Sequence, residues 1–129
     1  MDTPGNGQIV DLTAGVSRIV ETSGVTRGLV TVFATGSTVA VTTMEYEPGG
    51  VHDLQALLDR LIPTRRDYEH NVRNMDTNAH AHLRAAIIGP SETIPLVEGR
   101  LALGTWQQIV LLDFDDRPRQ RMVTVQIIS

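Results

Sequence analysis

The chain of 129 residues contains no cysteine and no lysine. The absence of cysteine excludes a disulfide framework and any metal site built from thiolates. No stretch approaches the roughly 20 consecutive apolar residues of a membrane-spanning helix. The opening segment MDTPGNGQIV also lacks the basic and apolar regions of a secretory signal. Together these absences predict a soluble protein of the cytoplasm without a membrane partner.

A strongly basic surface is missing as well. The formal net charge is −4, and the eleven positive charges, all arginine, are interspersed with acidic residues. Nucleic-acid-binding domains usually carry a concentrated basic face. We therefore expect no nucleic-acid partner, and the length fits one compact domain.

The pattern of apolar residues predicts a single α+β domain. Residues 1–6 are rich in polar residues, glycine and proline and are expected to form a loose N-terminal segment, followed by one domain over 7–129. Two β-branched runs, GLVTVFATG and TVAVTTMEYE, flank Gly36-Ser37 and predict a hairpin. Helices do not alternate regularly with strands, which favours two strand groups packed together over a doubly wound parallel sheet.

Three helices are predicted, together with one long polar connection. They lie in DLTAGVSRIVETSG, in VHDLQALLDRLIP and over about Ala79 to Ile88, and the connection spans 64–77. The apolar stripes expected to face the core are Leu54, Leu57, Leu58 and Leu61 in the second helix and Ala79, Leu83, Ala86 and Ile87 in the third. A connection of this length is typical of a functional loop or a disordered one.

Three of the four histidines lie within YEHNVRNMDTNAHAHLRAAIIG. On a helix that begins at Asn78, His80 and His82 fall about 200° apart and cannot share one small site. Asn78 and His82 lie on the same side, so they form the better candidate pair, and His80 is predicted to be a surface residue. His70, in the polar connection, can fold back over this helix start.

Two neutral imidazoles meeting a carboxylate or water would suit zinc or a similar divalent metal. They would equally suit acid–base chemistry near neutral pH. A third interpretation, ordinary polar residues in a loop that leads into a helix, also fits the spacing of His70 and His82.

Other polar residues allow both functional and structural interpretations. Asp53 lies near the start of the second helix, where the helix dipole alone favours a carboxylate. Ser37 and Thr38 at a glycine turn can hold a phosphate, although turns carry such residues without a ligand. Glu45 lies at a strand end, and Trp106 is by default a core or interface anchor.

Three arginines alternate near the C-terminus, which places them on one face of a strand. They repel one another unless a bound anion or nearby carboxylates neutralise them. The sequence offers both arginines and carboxylates here: Arg117, Arg119 and Arg121, and Asp113, Asp115 and Asp116.

The segment IPLVEGRLALGTWQQIVLLDFDDRPRQRMVTVQI, preceded by NAHAHLRAAIIG, resembles the YjbQ-like family, also called the secondary thiamine-phosphate synthase family. The resemblance runs from about Val10 to Ile128, and GRLALGTWQQI is its most specific part. It implies two packed, largely antiparallel β-sheets with two to three helices. It also implies a homotrimer with a small-molecule pocket at or near the subunit boundaries.

The activity attributed to some family members joins hydroxymethylpyrimidine diphosphate to thiazole phosphate and releases pyrophosphate. By resemblance, the catalytic residues are His70, His82, Asp53 and Glu45, with His70 and His82 holding a divalent metal, zinc or magnesium. The substrate-binding residues, by the same resemblance and the turn chemistry above, are Ser37, Thr38, Asn78, Trp106, Gln107, Arg119 and Arg121.

One departure from the family pattern concerns the first strand turn. Many members carry a histidine followed by hydroxyl residues there, whereas this chain has Gly36 followed by Ser37 and Thr38. The hydroxyls remain, but an imidazole is missing. A thiamine-phosphate synthase-like transferase is therefore the first hypothesis. A trimeric protein that binds a phosphorylated metabolite or a metal without turnover is the alternative, and a purely structural trimer is the third.

Overall fold

The computed structural model describes residues 1–129 as four helices and nine short strands. The helices are α1 (Thr13–Ser23), α2 (Pro48–Leu61), α3 (Glu69–Asn74) and α4 (Ala79–Ile88). The strands are β1 (Asp2–Thr3), β2 (Gln8–Asp11), β3 (Gly28–Thr35), β4 (Val39–Met44), β5 (Ser91–Val97), β6 (Arg100–Leu101), β7 (Gln108–Asp113), β8 (Arg119–Gln120) and β9 (Met122–Ile128).

Two antiparallel sheets pack face to face and form the body of the domain. One has the strand order β2-β7-β4 and the other β6-β5-β3-β9, with β1-β8 as a short separate pair. Buried residues of both sheets meet between them, together with Val16 and Val20 of α1. The opposite face of the three-stranded sheet is covered by α2 and α4. The predicted α+β fold with two packed antiparallel sheets is confirmed.

Strand β7 shows why the sequence QIVLLD forms the centre of the fold. Ile109 and Leu111 point into the core between the sheets, whereas Val110 and Leu112 point toward the helices. Successive side chains of a strand alternate between its faces, so a strand buried on both faces reads as an unbroken apolar run.

The predicted hairpin at Gly36-Ser37 is wrong. Strand β3 pairs with β5 on one side and with β9 on the other, which leaves no free edge for β4. Strand β4 pairs with β7 in the other sheet. The turn therefore carries the chain from one sheet to the other, and this places Gly36 and Ser37 at the rim between the layers.

The N-terminal segment, expected to be loose, is tied to the domain. Asp2 and Thr3 pair with Gln120 and Arg119, and the buried Thr3 donates a hydrogen bond from its hydroxyl to Asp113. Composition indicated a loose terminus, but a hydrogen-bonding partner in the folded domain decides its order.

The helices differ from the expected pattern in two respects. Helix α3 forms inside the predicted polar connection, so the chain has four helices rather than two to three. The apolar stripe of α4 is also inverted, because Leu83 and Ile87 are exposed whereas His80 and Arg84 are buried. None of the four helices is long and apolar enough to cross a membrane.

The leucine stripe of α2 is only partly buried. Leu58 is buried, but Leu57 and Leu61 are exposed to 42% and 66%. Only the side of α2 that carries Leu58 packs against the three-stranded sheet. Exposed apolar side chains therefore remain on α2 and α4 of the isolated chain.

Candidate functional site

Helices α3 and α4 bring His70 and His82 together. Their ring centroids lie 4.6 Å apart, with the ring planes tilted by 49°. His70 Nδ1 lies 3.2 Å from Asn71 Oδ1. The two imidazoles that the sequence analysis paired are therefore direct neighbours at the junction of the two helices.

The buried side chain of Asn71 fixes this junction. Its Oδ1 accepts a hydrogen bond from the backbone N–H of Ala79, and its Nδ2 donates to the carbonyl oxygen of Arg65. The first N–H groups of a helix lack partners within the helix, so this contact satisfies one of them at the start of α4. Sequence reasoning missed Asn71 because the partner of α4 lies eight positions upstream, outside the usual capping positions.

His82 also lines a depression beside the turn between β3 and β4. The depression has a volume of about 300 Å³. Its walls come from the turn, the start of β4, helix α4 and the segment between α4 and β5: Gly36, Ser37, Val39, His82, Ala85, Ala86 and Pro90. The structure therefore places Ser37 and His82, predicted from different segments, around one surface depression.

Behind the turn lies a buried ionic network centred on Arg121. Its Nε and Nη2 each donate to one oxygen of Asp113 at 2.7 Å, and Nη2 also donates to Thr38 Oγ1 at 2.7 Å. Burial by itself would raise the pKa of the Asp113 carboxyl, but hydrogen bonds from Arg121 and Thr3 outweigh it and hold that pKa below its ordinary value. The hydrogen bonds that Arg121 itself donates to Asp113 raise the pKa of the guanidinium. This network therefore remains charged over the physiological pH range.

Thr38 belongs to this network and not to the surface of the depression. Its hydroxyl accepts from Arg121 and donates to Asp115 Oδ2 at 3.1 Å, and the residue is buried. The phosphate-holding role predicted for Thr38 is therefore occupied by internal partners, and Ser37 is the exposed hydroxyl of the turn.

Of the two explanations for the alternating arginines, internal neutralisation by carboxylates is the one found. Arg121 pairs with Asp113 and Arg119 with Asp115, both closely, whereas the contact between Arg117 and Asp116 is 3.9 Å long. Burial would raise the pKa of Asp115, but hydrogen bonds led by that from Arg119 lower it instead. Arg119 remains partly exposed, with 41% of its side chain accessible.

Glu45, Trp106 and Gln107 form a second and separate group. They line a depression of about 460 Å³ that shares no lining residue with the depression around His82. Gln107 orders this region, because its Nε2 donates to Thr43 Oγ1 and its Oε1 accepts from the N–H of Gly104. Trp106 is 72% exposed. The expectation of a core position for Trp106 is therefore wrong, and of the two default positions only the interface one is compatible with this exposure.

Asp53 does not join the histidine pair. Its side chain is 84% exposed, and its partner is the equally exposed His52 at 3.2 Å. No group of three histidine, aspartate or glutamate side chains in this chain is arranged to hold a metal ion. Within one chain, therefore, neither Asp53 nor Glu45 completes a metal site with His70 and His82.

His80 is buried, so the prediction of a surface position is wrong. Its pKa lies below the ordinary value because burial and the nearby charge of Arg84 both disfavour the imidazolium. Arg84 donates to the carbonyl oxygen of Ile62 and to Asp59 and thereby ties α4 to the end of α2. The helix period placed His80 correctly relative to His82, but the inverted apolar stripe reversed which of the two faces inward.

Asn78, predicted to pair with His82, is also buried. Its backbone carbonyl accepts from the N–H of His82, but its side chain does not cap the helix. Asn78 Oδ1 and His80 Nδ1 are both buried without a hydrogen-bond partner. The hydrogen bond that joins Asn78 to His82 is therefore one between backbone groups, and the side chain of Asn78 takes no part in it.

The arrangement described so far is a small domain of two antiparallel sheets with paired histidines on its helical side. A sequence profile described as "UPF0047 protein YjbQ-like" matches residues 1–129, and the chain belongs to this family. A UPF0047 protein of Archaeoglobus fulgidus is 40% identical over 121 residues, covering 94% of this chain and 91% of the relative. A UPF0047 protein of Methanothermobacter thermautotrophicus is 37% identical over 120 residues, covering 93% and 82%.

Solved structures show the same fold. A crystal structure described as a "YbjQ-like protein of unknown function" from Sulfolobus solfataricus has a TM-score of 0.89 at 35% identity, covering 98% of this chain and 92% of that one. An uncharacterised family protein from Clostridium acetobutylicum has a TM-score of 0.87 at 35% identity, covering 99% and 98%. These similarities establish the family and the fold and assign no activity.

Proposed function

We propose that this protein is an enzyme that acts on a phosphorylated small molecule in the depression between the Gly36-Ser37 turn and α4. The proposed reaction is of the secondary thiamine-phosphate synthase kind, in which a diphosphate leaves as pyrophosphate. Such a reaction needs cationic donors for the leaving group and groups that transfer protons. A cytoplasmic location is part of this proposal, because the proposed substrates are phosphorylated metabolites.

The contact between the His70 and His82 rings is the observation that carries the proposal. Two half-buried imidazoles lie 4.6 Å apart beside an open depression, and the hydrogen bond recorded for their ring nitrogens is the one between His70 Nδ1 and Asn71 Oδ1. Histidine is the side chain most often used as a general acid or base. His82, which lines the depression, would contact the substrate, and His70 would position it or exchange a proton with it.

The donor set bears on the proposed divalent metal. Imidazole nitrogens suit zinc, whereas magnesium prefers oxygen ligands and near-octahedral coordination. Catalytic zinc sites have three protein ligands, and one chain offers only the two histidines. Zinc held by His70 and His82 would polarise a phosphate oxygen, but its third protein ligand would have to come from another copy. The residues do not fit magnesium.

Self-association is a further part of the proposal. The outward positions of β5, β3 and β9 carry no charged side chain, and Leu29, Phe33 and Val97 among them are exposed to 41–56%. Exposed apolar patches of this kind mark interaction surfaces. We assign this surface to contacts between copies of the chain, in the homotrimer that the resemblance implies.

Size-exclusion chromatography with light scattering tests the oligomer. Wild type is expected to elute as a trimer, and Phe33→Glu as a smaller species, because a charge would be buried without a partner. Leu61→Glu is the matched control, since it alters a leucine that is 66% exposed on a different face. A monomeric wild type, or a Phe33→Glu variant that remains trimeric, contradicts the assignment.

A protein that binds a phosphorylated metabolite or a metal without turnover is the second candidate. The recorded side-chain partner of the pair is the uncharged Asn71 at His70 Nδ1, and no carboxylate forms a group of three with the two rings. This favours the second candidate, because the base in such catalysis is usually oriented by a third group that also stabilises its charge. Metal content and ligand binding that depend on His82, without any product, would support this candidate over the enzyme.

A turnover assay distinguishes the two candidates. The protein is incubated with hydroxymethylpyrimidine diphosphate and thiazole phosphate, with and without zinc, and the release of pyrophosphate is followed. The variants His70→Asn and His82→Asn are each expected to lose about 100-fold in turnover, the usual contribution of a general acid or base. His52→Asn is the control, because His52 is exposed and contacts only Asp53. Equal turnover in all four proteins contradicts a catalytic role for the pair.

A further inference from the structure

Asn6 and Gly7 are the only asparagine–glycine pair of the chain, and they form the turn that leads into β2. Their φ angles of +56° and +81° are left-handed, a conformation in which asparagine and glycine are the preferred residues. The N–H of Gln8 donates to the carbonyl oxygen of Gly5 and closes this turn. The turn therefore requires a pair of residues that is also chemically the most labile of asparagine dipeptides.

The lability of such a pair comes from an attack within the chain. The backbone nitrogen of the glycine, unhindered by a side chain, attacks Cγ of the asparagine and forms a five-membered succinimide. The Cγ–Nδ2 bond breaks, and ammonia leaves with the proton that the attacking nitrogen loses. Water then opens the succinimide at either carbonyl, which yields aspartate or, with the chain continuing through the side chain, isoaspartate.

The two reacting groups are in opposite situations in the folded chain. Asn6 is exposed to solvent, whereas Gly7 is buried. The N–H of Gly7 donates to the carbonyl oxygen of Asp113 at 2.7 Å. Attack requires this nitrogen to lose its proton and to turn toward Cγ, and the hydrogen bond opposes both. The fold therefore blocks the reaction at the nucleophile and leaves the side-chain amide accessible.

Neighbouring contacts hold this turn against the end of β7. The N–H of Asn6 donates to the carbonyl oxygen of Asp115 at 2.6 Å, and Gln55 Nε2 of α2 donates to the carbonyl oxygen of Gly7 at 2.9 Å. A Cβ atom on Gly5 would lie 2.5 Å from the same carbonyl oxygen of Asp115. The Gly7 nitrogen is therefore released only when the turn lifts off β7. Segments near a chain end open locally at a lower free energy than the core does.

An isoaspartate at position 6 would prevent the turn from closing again. The Thr3 hydroxyl donates to the Asp113 carboxylate, and the Gly7 N–H donates to the carbonyl oxygen of the same residue. Position 6 lies between these two anchors, and isoaspartate lengthens the main chain there by one carbon atom. Both hydrogen bonds to Asp113 then cannot be restored together. Because Asp113 is the partner of Arg121, the lesion also removes support from the buried ionic network.

We propose that Asn6 is a site of deamidation and isoaspartate formation that is controlled by local opening of the N-terminal turn. While the turn is closed, Asn6 persists. Each opening exposes the Gly7 nitrogen, and a molecule that reacts while open loses the native closure. The modification does not depend on any substrate or partner and is independent of the proposed reaction.

The test compares the folded protein with the same protein in urea at mildly alkaline pH. Peptide mapping by mass spectrometry measures conversion at position 6, and methylation by an isoaspartate-specific methyltransferase identifies the linkage. Conversion is expected to be about tenfold or more slower in the folded protein, the factor that one or two backbone hydrogen bonds provide. Asn74 is the internal control in both samples, because it is exposed but is followed by Met75, whose side chain hinders the attack.

A matched pair of variants tests whether opening of this turn is the controlling step. Thr3→Val removes the hydroxyl that anchors the segment to Asp113 and is expected to accelerate conversion in the folded protein several-fold. Thr31→Val is the control, because its hydroxyl bonds only with Thr93 on the exposed face of the other sheet. If Thr3→Val does not fold, Gln55→Ala replaces it, since it removes the hydrogen bond to the Gly7 carbonyl.

Three results would overturn the proposal. The first is an absence of isoaspartate at position 6 in urea, which would deny the site itself. The second is an equal rate in the folded and the unfolded protein, which would deny protection by the Gly7 hydrogen bond. The third is an equal rate in the anchor variant and in Thr31→Val, which would deny control by local opening.

Discussion

The depression around His82 and the depression around Trp106 are built in opposite ways. The first is backed by a buried pair of opposite charges, Arg121 and Asp113, whose side chains are 7% and 0% exposed. The second is ordered by the hydrogen bonds of Gln107 and displays a largely exposed tryptophan. Only the first has a fixed charge that water cannot easily screen.

This difference indicates different tasks for the two regions. A developing negative charge is stabilised most effectively by charges and donors that are fixed in place before the ligand binds. An exposed aromatic beside a carboxylate, as at Trp106 and Glu45, suits contact with a second surface, because tryptophan is a frequent anchor of interfaces. The site residues implied by the resemblance are therefore divided between two regions. We call the depression around His82, with the buried pair Arg121 and Asp113 behind it, the rigid region, and the depression around Glu45, Trp106 and Gln107 the adaptable region.

Removing the charge behind the rigid region is expected to have the largest effect. Asp113→Ala leaves Arg121 buried without its partner, and breaking such a pair costs about 3–5 kcal/mol. Urea unfolding measures the loss. Asp67→Ala is the control, because its pair with Arg65 is exposed on both sides and should contribute at most about 1 kcal/mol. Similar losses in the two variants would contradict the rigid character of this region.

Mixed oligomers test whether the two regions act together. If His82 of one copy and Glu45 of the next serve the same site, His82→Asn and Glu45→Gln should each be inactive alone. A random mixture of the two chains then restores about a quarter of wild-type turnover, because each site draws its two residues from neighbouring copies. The assay follows pyrophosphate release after refolding the variants together. Absence of any recovery in verified mixed oligomers would show that the two depressions work separately.

The fold was largely predictable, and the prediction failed where pairing between distant strands decides the outcome. Strand β7 and helix α1 follow directly from their patterns, and Gly24, left-handed with φ 70°, ends α1. The hairpin at Gly36-Ser37 failed because both edges of β3 are already paired. Such pairing is a property of the whole sheet and leaves no trace in a local run of residues.

The candidate site was predictable where it depends on spacing and not where it depends on packing. The convergence of His70 and His82 was expected from a connection folding back over α4. The burial of His80 and of Arg84 was not expected. The apolar face of a helix usually packs against the core, whereas on α4 the apolar Leu83 and Ile87 face outward. The guanidinium of Arg121 lies where a Cβ on Gly36 would point, and no sequence pattern encodes this proximity of two residues far apart in the chain.

A moderate loss of stability is expected on acidification because of His80. Its pKa is lowered in the folded state by burial and by Arg84, only partly offset by Asp116, Asp115 and Asp59. The unfolded chain therefore binds a proton more readily, and stability is lost as pH falls below the unfolded value of 6.5 until the folded imidazole is also protonated. Urea unfolding at pH 7.5, 6.5 and 5.5 measures this slope.

The variant His80→Gln should flatten the dependence in this window, whereas His52→Gln should leave it unchanged. A slope that persists in His80→Gln would assign the loss to another group. The lowered pKa values of Asp113 and Asp115 act in a separate window. The stability that these carboxylates contribute is present above the unfolded value of 3.8 and is lost only as pH falls through their folded values.

The smallest effect is expected in the adaptable region. Gln107→Ala removes the hydrogen bonds to Thr43 and Gly104, which at an exposed site should cost about 1 kcal/mol of unfolding free energy. Because Trp106 is the sole tryptophan, its fluorescence anisotropy reports directly on the loosening of this loop. Gln120→Ala, an exposed glutamine elsewhere, is the control. The losses of unfolding free energy in Gln107→Ala and Asp113→Ala should add in the double variant if the two regions are independent within one chain. A clearly non-additive loss would mean that the rigid region takes part of its shape from the adaptable one.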